Sequence, residues 1–355
     1  MKVVISAGGS GGHIYPALAI INKIKEHDKN SEFLYIGTKN RMEKDIVPSM
    51  NIPYYGIDVY GLKRKISLDN FKSIYKYLYS IKLCKKKIKE FNPDIVIGAG
   101  GYVCAPVITA AKKCGYKTLV HEQNSTLGLT NRLLLKYTDT LCTSFENIKI
   151  NGVNVVYTGN PQSENAKNIK PLTKKELKID DNKKIVVIVM GSLGSKTVND
   201  VLIKSINDFK EDYNVILITG KSHYEEFNNI KKNKNVIIKP YIENLPALFK
   251  ISDLVVTRAG ATTICELAST RTPALFIPSP YVTENHQYKN AMSLVNESAG
   301  FILEEKDLNS KNLINKIDSL LNDEKRLKEV KKNLEKFDIE DSSERIFNEI
   351  KKLVD

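Results

Sequence analysis

Near its start the chain reads Val3-Val4-Ile5-Ser6-Ala7-Gly8-Gly9-Ser10-Gly11-Gly12-His13, an apolar run that ends in a glycine-rich loop. A helical pattern follows, because Ala17, Ile20, Ile21 and Ile24 recur at the spacing of one helix face. A short strand that is apolar along its whole length is typical of a parallel sheet covered by helices on both faces. The opening residues therefore predict a strand, a glycine loop and a helix of an α/β fold.

The same arrangement recurs three more times along the 355 residues. Apolar runs precede glycines at Ile95-Val96-Ile97, at Ile185 to Val189 and at Val255-Val256. A chain of this length is too long for one hydrophobic core, so two domains are expected. We predict two doubly wound, Rossmann-like α/β domains whose parallel sheets face a central cleft, with the glycine loops at the carboxyl ends of the strands. One large α/β sheet is the alternative.

A polar, lysine-rich stretch separates the two pairs of repeats and predicts the domain boundary. We assign residues 1–160 to an N-terminal domain, 161–184 to a linker region, and 185–355 to a C-terminal domain whose final helices could pack back on the N-terminal domain. The final helix is expected to open with a capping box formed by Asp341 and Glu344.

The composition, 42% hydrophobic and 27% charged, is that of an ordinary globular chain and excludes disordered and fibrous proteins. Five cysteines, far apart along the chain, argue against a disulfide framework and a thiolate zinc site. Too few histidines and acids stand at ligand spacing to suggest another metal, so neither a metal nor a cofactor is predicted. No apolar run approaches the roughly 20 residues of a membrane span, and the apolar start is too short for a signal peptide. We expect a cytosolic or membrane-peripheral protein.

A formal net charge of +13 indicates a polyanionic partner. Residues 62–89 alone contribute +9, with ten lysines and arginines against one aspartate. As a helix, this segment would present a core stripe beside an apolar wedge that continues as a cationic strip, which is typical of interfacial helices. An anionic membrane is the predicted partner, and a solvated lysine-rich face is the alternative. The core stripe is Ile74, Tyr77, Ile81, Cys84 and Ile88; the wedge is Phe71, Tyr75 and Leu78; the strip is Lys82, Lys85, Lys86 and Lys89.

The glycine loops match neither a dinucleotide fingerprint nor a P-loop, which leaves backbone N–H groups at helix N-termini that suit phosphate oxygens. Tight packing between strand and helix is the alternative for any one loop. His13 follows the first loop at a helix start, where the helix dipole favours a neutral imidazole that can act as a base. Two polar clusters, His121-Glu122-Gln123-Asn124 and Glu284-Asn285-His286-Gln287, follow apolar runs and are hard to explain by packing.

Seven stretches, in order between residues 5 and 291, resemble the MurG family of peptidoglycan enzymes. They are Gly8-Gly9-Ser10-Gly11-Gly12-His13, Gly98-Ala99-Gly100-Gly101-Tyr102, His121-Glu122-Gln123-Asn124, Thr158-Gly159-Asn160-Pro161, Gly191-Ser192-Leu193-Gly194, Arg258-Ala259-Gly260-Ala261 to Glu266, and Gln287 with Asn290-Ala291. The resemblance implies a GT-B fold and an inverting transfer of N-acetylglucosamine from UDP-N-acetylglucosamine. It implies as acceptor the muramoyl 4-hydroxyl of undecaprenyl-diphospho-muramoyl-pentapeptide, at the cytoplasmic face of the cell membrane.

The resemblance also implies roles for single residues. The implied transfer needs a base, and His13 is the expected one because its loop position and the helix dipole both suit it, with Glu122 as the second candidate. Contacts with the donor are expected from Ser10, Gly11, Gly12 and Asn124 in the N-terminal half. In the C-terminal half, Ser192 would bind the diphosphate, Ile242 the uracil, Ala261, Thr262 and Thr263 the phosphates, Glu266 the ribose and Gln287 the sugar.

Two departures from the family pattern stand out. Ser10 replaces the usual threonine and keeps the hydroxyl. Gln162 and Ser163 replace a valine and an arginine, so a cationic contact to the donor is missing at this position. Either another cation, Lys196 or Arg258, supplies the contact, or the affinity for the donor is lower. UDP-sugar 2-epimerases and other GT-B transferases with glycolipid acceptors are the rival enzymes. A nucleic-acid-binding protein is disfavoured because no recognised module accompanies the charge.

Overall fold

The computed structural model describes residues 1–59, 68–191 and 193–355, with the backbone alone for residues 68–74. The chain divides into two compact units, one made of Met1–Gln162 with Ile339–Asp355 and the other of Ser163–Asp338. Each unit contains one parallel sheet, of seven strands in the first and six in the second. The predicted pair of doubly wound α/β sheets is confirmed, and the alternative of one large sheet is wrong.

The first sheet has the strand order β3-β2-β1-β4-β5-β6-β7, with all neighbours parallel. The chain starts in the middle of the sheet, builds outward to one edge, and then returns to build outward to the other. The carboxyl ends of β1 and β4 therefore lie side by side at a topological switch point, where α/β proteins bind their ligands. The strands are β1 (Lys2–Ser6), β2 (Glu32–Thr38), β3 (Tyr54–Ile57), β4 (Ile95–Gly98), β5 (Lys117–Glu122), β6 (Thr140–Thr143) and β7 (Asn154–Tyr157).

Helices cover both faces of this sheet, as its continuously apolar strands require. The face that carries α1 buries the predicted stripe Ala17, Ile20, Ile21 and Ile24. The opposite face carries α3 and α4, and there Ile81, Cys84 and Ile88 are buried as expected for the core stripe of the basic segment. The helices are α1 (Gly11–His27), α2 (Glu43–Ser49), α3 (Leu68–Phe91), α4 (Cys104–Lys113) and α5 (Leu129–Leu134).

The second sheet has the order β10-β9-β8-β11-β12-β13 and is also parallel throughout. Its switch point lies between β8 and β11, the two strands predicted from apolar runs. The strands are β8 (Lys184–Val189), β9 (Tyr213–Ile218), β10 (Val236–Lys239), β11 (Leu254–Thr257), β12 (Ala274–Phe276) and β13 (Phe301–Ile302). The helices are α6 (Ser163–Asn168), α7 (Lys174–Leu177), α8 (Lys196–Ser205), α9 (Leu245–Phe249), α10 (Ala261–Ser269), α11 (His286–Val295), α12 (Ser310–Asn322) and α13 (Glu324–Asn333).

The helix α14 (Ser342–Val354) belongs to the first unit although it follows the second in sequence. It packs on α1, and Ile346 and Ile350 lie in the same buried cluster as the α1 stripe. The capping box expected at its start is wrong: Asp341 has a left-handed backbone and makes no capping hydrogen bond, while the Glu344 carboxylate lies 2.8 Å from His27 Nε2 on α1. The contact with α1 takes the place of the local cap.

The polar stretch between the sheets holds α6 and α7 and belongs to the second unit from Ser163 onward. There α6 packs against α9 and α10, and the Lys250 ammonium donates to the carbonyls of Lys167 and Ile169. Across the part of the chain that the structure describes, no helix has both the length and the apolar character needed to cross a bilayer.

We predict that Ile350→Ala lowers the free energy of unfolding by about 2–5 kcal/mol, because Ile350 is fully buried between α14, α1 and the sheet. Urea unfolding followed by circular dichroism would measure this loss. The exposed neighbour Lys351→Ala is the control and should change stability by less than about 0.5 kcal/mol. Equal stability of the two variants would contradict the assignment of α14 to the first unit.

Candidate functional site

In the first unit, two glycine loops meet at the switch point between β1 and β4. The amide of Gly8 donates to the carbonyl of Gly100 over 3.2 Å, and the amide of Ala99 donates to Ser6 over 2.8 Å. Gly101 has a φ of +88°, and a Cβ at this position would lie 2.3 Å from the Gly8 carbonyl oxygen. Only glycine permits this close approach. The loops are therefore coupled through their backbones and leave the first turn of α1 at the carboxyl edge of the sheet.

His13 stands in that first turn, partly exposed. Its Nδ1 lies 3.0 Å from the Gly8 carbonyl oxygen and 3.3 Å from the hydroxyl of Ser10. A carbonyl oxygen can only accept, so in the neutral ring the proton is on Nδ1 and the lone pair is on Nε2. The backbone of the glycine loop thus sets the tautomer in which Nε2 can receive a proton.

A buried carboxylate, which the sequence analysis missed, holds the first loop from below. Glu43 of α2 is completely buried, and it accepts hydrogen bonds from the amide of Gly9 and from the amide and hydroxyl of Thr38, at 3.2, 3.1 and 2.6 Å. These hydrogen bonds fix the loop that precedes His13. No pattern in the sequence distinguishes Glu43 from the surface acids around it.

The residues of the polar cluster at the end of β5 belong to two separate hydrogen-bond networks. Glu122 is buried, and its carboxylate accepts four hydrogen bonds, from the amide and side chain of Asn124, the amide of Gly128 and the side chain of Asn131. These four donors occupy the carboxyl group and hold the following loop in place. This geometry argues against Glu122 as the base and assigns it a structural role.

His121 and Gln123 form a second, separate network that is also buried. The ring of His121 lies 3.0 Å from the Gly159 carbonyl oxygen through Nε2 and 2.9 Å from the amide nitrogen of Gln123 through Nδ1. Burial lowers the pKa of His121, which keeps the ring neutral. The amide of Gln123 also donates to Ala99, so the network joins the ends of β4, β5 and β7.

In the second unit, Arg258 ties together the loops at the carboxyl edge of the sheet. It donates to the hydroxyl of Ser195 over 2.7 Å and to the carbonyl of Ile277 over 2.9 Å, and it forms an ion pair with Glu305 at 2.5 Å. Both charged side chains are nearly buried, at 11% and 6% exposure. Arg258 thus joins the loops that follow β8, β11 and β12.

A cleft of about 470 Å³ opens beside this arginine, within the second unit. Gln287, expected to contact the sugar, lines this cleft, and its Oε1 accepts from the Ser279 amide over 2.8 Å, so its NH2 group points away from Ser279. The side chain of Lys196 is 70% exposed at the start of α8 and lines the same cleft. The cleft is lined by Met190, Gly191, Leu193, Gly194, Ser195, Lys196, Thr197, Arg258, Ser279, Tyr281, Val282 and Gln287.

The remaining predicted residues of this half lie outside the lining of that cleft. Ala261, Thr262 and Thr263 form the first turn of α10, with Gly260 as N-cap, and Glu266 lies one turn further on. Ile242 follows β10 at the far side of the sheet, partly buried. Ser192, predicted to bind diphosphate, lies outside the described residues.

Glu266 is a partly buried acid whose surroundings raise its pKa to about 7. The cause is burial, which disfavours the carboxylate. The acid therefore changes charge near neutral pH, where an added pair of hydroxyl donors would favour the ionised form.

Comparison with known proteins agrees with the two units. Residues 3–143 match the glycosyltransferase family 28 N-terminal domain, and residues 185–346 match the corresponding C-terminal domain. The chain is 43% identical, over 99% of its length and 99% of the relative's, to a UDP-N-acetylglucosamine–N-acetylmuramyl-(pentapeptide) pyrophosphoryl-undecaprenol N-acetylglucosamine transferase of Bacillus licheniformis.

Solved structures extend the comparison. The crystal structure of MurG from Acinetobacter baumannii superposes with a TM-score of 0.81, at 27% identity and with 99% of each chain covered. A structure described as a proposed UDP-N-acetylglucosamine 2-epimerase of Listeria monocytogenes reaches 0.70 at 14% identity, covering 99% and 95% of the two chains. At that identity the likeness concerns the fold alone.

Proposed function

The chain belongs to the UDP-N-acetylglucosamine–N-acetylmuramyl-(pentapeptide) pyrophosphoryl-undecaprenol N-acetylglucosamine transferases of glycosyltransferase family 28, and we propose a mechanism for it on that basis. Its fold is GT-B, and it transfers N-acetylglucosamine from UDP-N-acetylglucosamine to the lipid-linked muramoyl pentapeptide in peptidoglycan synthesis. The observation that carries this function is 43% identity over 99% of both chains. The epimerase alternative shares only the fold.

The transfer is a single displacement in which His13 acts as the base. The acceptor 4-hydroxyl gives its proton to Nε2 of His13, its oxygen forms a bond to the anomeric carbon, and the bond to UDP breaks with the electron pair leaving on the diphosphate. The Nδ1 contact to Gly8 supports this role, because it leaves the lone pair on Nε2. Glu122 is left out of the proposal, since its carboxylate already accepts four hydrogen bonds.

The second unit binds the donor. Backbone amides at the starts of α8 and α10 are suited to the diphosphate, because the first amides of a helix lack partners within it. The hydroxyl of Thr262 supports a ligand there: it is buried and has no hydrogen-bond partner among the described residues. Glu266 binds the ribose hydroxyls, and Ile242 contacts the uracil. Gln287 contacts the sugar, and Ser192 binds the diphosphate. Ser10, Gly11, Gly12 and Asn124 of the first unit contact the donor sugar.

Lys196 supplies the cation that the family arginine would provide at Ser163. Ser163 is buried at the start of α6, and Arg258 is already paired with Glu305 and holds three loops together. The Lys196 ammonium is exposed in the cleft, and among the described residues it forms a surface ion pair with Asp200 alone, at 3.3 Å. A surface pair of this kind is weak and readily exchanged for a phosphate.

The enzyme works at the cytoplasmic face of the membrane, which it contacts through α3. Tyr75, Leu78 and Tyr79 are 70%, 59% and 52% exposed and lead into the cationic strip Lys82, Lys85, Lys86 and Lys89. The wedge residue Phe71 and residues 62–67 lie outside what the structure describes in side-chain detail.

A second exposed stripe, which the sequence analysis missed, lies on α5 and the turn after it. Leu129 and Leu133 are 47% and 57% exposed and alternate with the exposed cations Arg132 and Lys136. Both α3 and α5 pack against α4, so they cover the same face of the sheet. Two amphipathic stripes with this composition suit anionic phospholipid better than a solvated surface.

We expect His13→Ala to retain UDP-N-acetylglucosamine binding while kcat falls at least about a hundredfold, because the variant lacks the proton acceptor. The assay follows labelled UDP-N-acetylglucosamine with and without polyprenyl-diphospho-muramoyl-pentapeptide. Label that enters the lipid fraction only with acceptor supports the transferase, and sugar interconversion without acceptor would support an epimerase. Wild-type turnover in His13→Ala would exclude His13 as the base.

Donor affinity should weaken at acid pH, because Glu266 has a pKa of about 7 and binds ribose hydroxyls as a carboxylate. Protonation below that value leaves about one tenth of the acid ionised at pH 6, so the Kd of UDP-N-acetylglucosamine should rise about tenfold between pH 8 and pH 6. Calorimetry suits this test, since neither phosphate of the donor titrates in this range. Glu266→Gln should bind weakly at both pH values, and a variant that kept the wild-type pH dependence would contradict the assignment.

Replacing the cationic strip by Lys82/Lys85/Lys86/Lys89→Gln should lower binding to anionic phospholipid vesicles at least tenfold, given about 1 kcal/mol for each lysine near the surface. Co-sedimentation would measure it. The matched control is Lys325/Lys328/Lys331/Lys332→Gln on the exposed side of α13, which removes the same charge from the second unit. Equal loss in both variants would mean that net charge, rather than α3, determines binding.

A further inference from the structure

Gln123 carries a buried acceptor that the proposed reaction has not yet used. The side chain is 2% exposed, and its Oε1 has no hydrogen-bond partner within the described ranges of the chain. A buried amide oxygen without a hydrogen-bond donor is energetically unfavourable. Its position near His13, the proposed base, therefore suggests a function in the reaction. In the sequence, Gln123 is one of four consecutive polar residues, His121 to Asn124.

The direction of the Gln123 amide follows from the partners behind it. The Gly159 carbonyl can only accept, so the Nε2 of His121 that faces it must carry the proton. In a neutral ring the Nδ1 is then an acceptor, which requires the NH2 group of Gln123, not its oxygen, at 2.9 Å. The second N–H of that group donates to the Ala99 carbonyl over 3.0 Å. The oxygen of the Gln123 amide therefore points away from His121 and Ala99.

There, Oε1 of Gln123 and the ring of His13 both lie next to Gly100. Gly100 has a φ of +100°, and a Cβ built on it would lie 2.4 Å from Cδ2 of His13 and 2.8 Å from Oε1 of Gln123. The two atoms are thus at most about 5 Å apart and face the space that a side chain at position 100 would fill. Cδ2 is the ring carbon bonded to Nε2, the nitrogen assigned the lone pair.

We propose that Gln123 is a positioning residue for the transfer, whose Oε1 stabilises the imidazolium that forms when His13 takes the acceptor proton. The inference rests on the proposed role of His13 as the base. The negative end of the amide dipole, an oxygen that is closed to water, lies near the edge of the ring that becomes positive. Because His121 and Ala99 hold the NH2 group, the dipole keeps this direction before the reaction begins.

Other titratable groups lie on the elements next to His13, and none of them is substituted in the Gln123 variants used below. Glu43 lies beneath the first loop on α2, Tyr15 is near Gly11 on α1, and His121 stands behind Gln123 on β5. Cys104 on α4 donates to the Gly100 carbonyl, and burial raises its pKa to about 12, so it stays a thiol. Gln123 adds a dipole to these groups.

The test is a pH titration of His13 by NMR in the full-length enzyme, which requires no turnover. The chain has five histidines, and the signal that disappears in His13→Ala identifies the one of interest. Gln123→Met removes the dipole at similar volume and should lower the pKa of His13 by up to about one, because a full charge within about 4–6 Å shifts a pKa by one or more and a dipole does less. The acid limb of the pH profile of kcat/KM should move to lower pH by the same amount, with a lower plateau of kcat.

Gln123→Glu provides a test of sign in case the methionine variant folds poorly. An ionised glutamate raises the pKa of His13, and a protonated one keeps the carbonyl in place, so the value should equal or exceed that of the wild type. The control Asn235→Leu deletes another buried amide with an unpartnered oxygen, in the second unit, and should change stability but not the His13 titration.

An unchanged His13 pKa in Gln123→Met, or a lowered pKa in Gln123→Glu, would overturn the inference. This outcome is separate from failure of the proposed mechanism, which would appear as an active His13→Ala enzyme whatever the titration of the ring.

Discussion

The first unit depends on a close approach between the backbones of two loops, those after β1 and β4, which leaves no space for a side chain. The amide of Gly8 and the carbonyl of Gly100 are hydrogen-bonded, and a methyl group on Gly101 would overlap the Gly8 carbonyl. This contact joins the ends of β1 and β4, and the same Gly8 carbonyl orients His13. Packing of the main chain thus determines the chemistry of an imidazole, with Glu43 holding the loop from the opposite side.

In each unit one acidic or basic side chain, largely buried, holds the loops at the carboxyl edge of the sheet, and the two side chains are of opposite type. In the first, a buried carboxylate binds the amide of Gly9 at the loop after β1. In the second, a nearly buried guanidinium binds the loops after β8, β11 and β12. The difference matches the groups that each set of loops presents, because the amides of Gly9 and Thr38 need an acceptor, while the Ser195 hydroxyl and the Ile277 carbonyl need a donor.

The sequence was sufficient for the architecture because parallel strands buried on both faces must be apolar throughout, and Val3 to Ile5 and Ile185 to Val189 show this directly. It also predicted that the glycine loops lie at the carboxyl edge of such sheets, which is where the first turn of α1, with His13, is found. It could not place Glu43 or separate Glu122 from Gln123, since those roles depend on which donors the folded chain brings near each group. Local patterns failed where a distant partner competed, as at Glu344, which contacts His27 instead of capping its own helix.

The position of α14 has a consequence for the order in which the protein is made. The α1 face of the first sheet is covered by Ile346 and Ile350, yet 176 residues of the second unit are synthesised between Gln162 and Ile339. Domains generally fold as they emerge from the ribosome, so the first unit must wait with apolar surface uncovered while the second is translated. The half that holds the proposed base is therefore begun first and finished last, and a chain interrupted within the second unit lacks a completed first one.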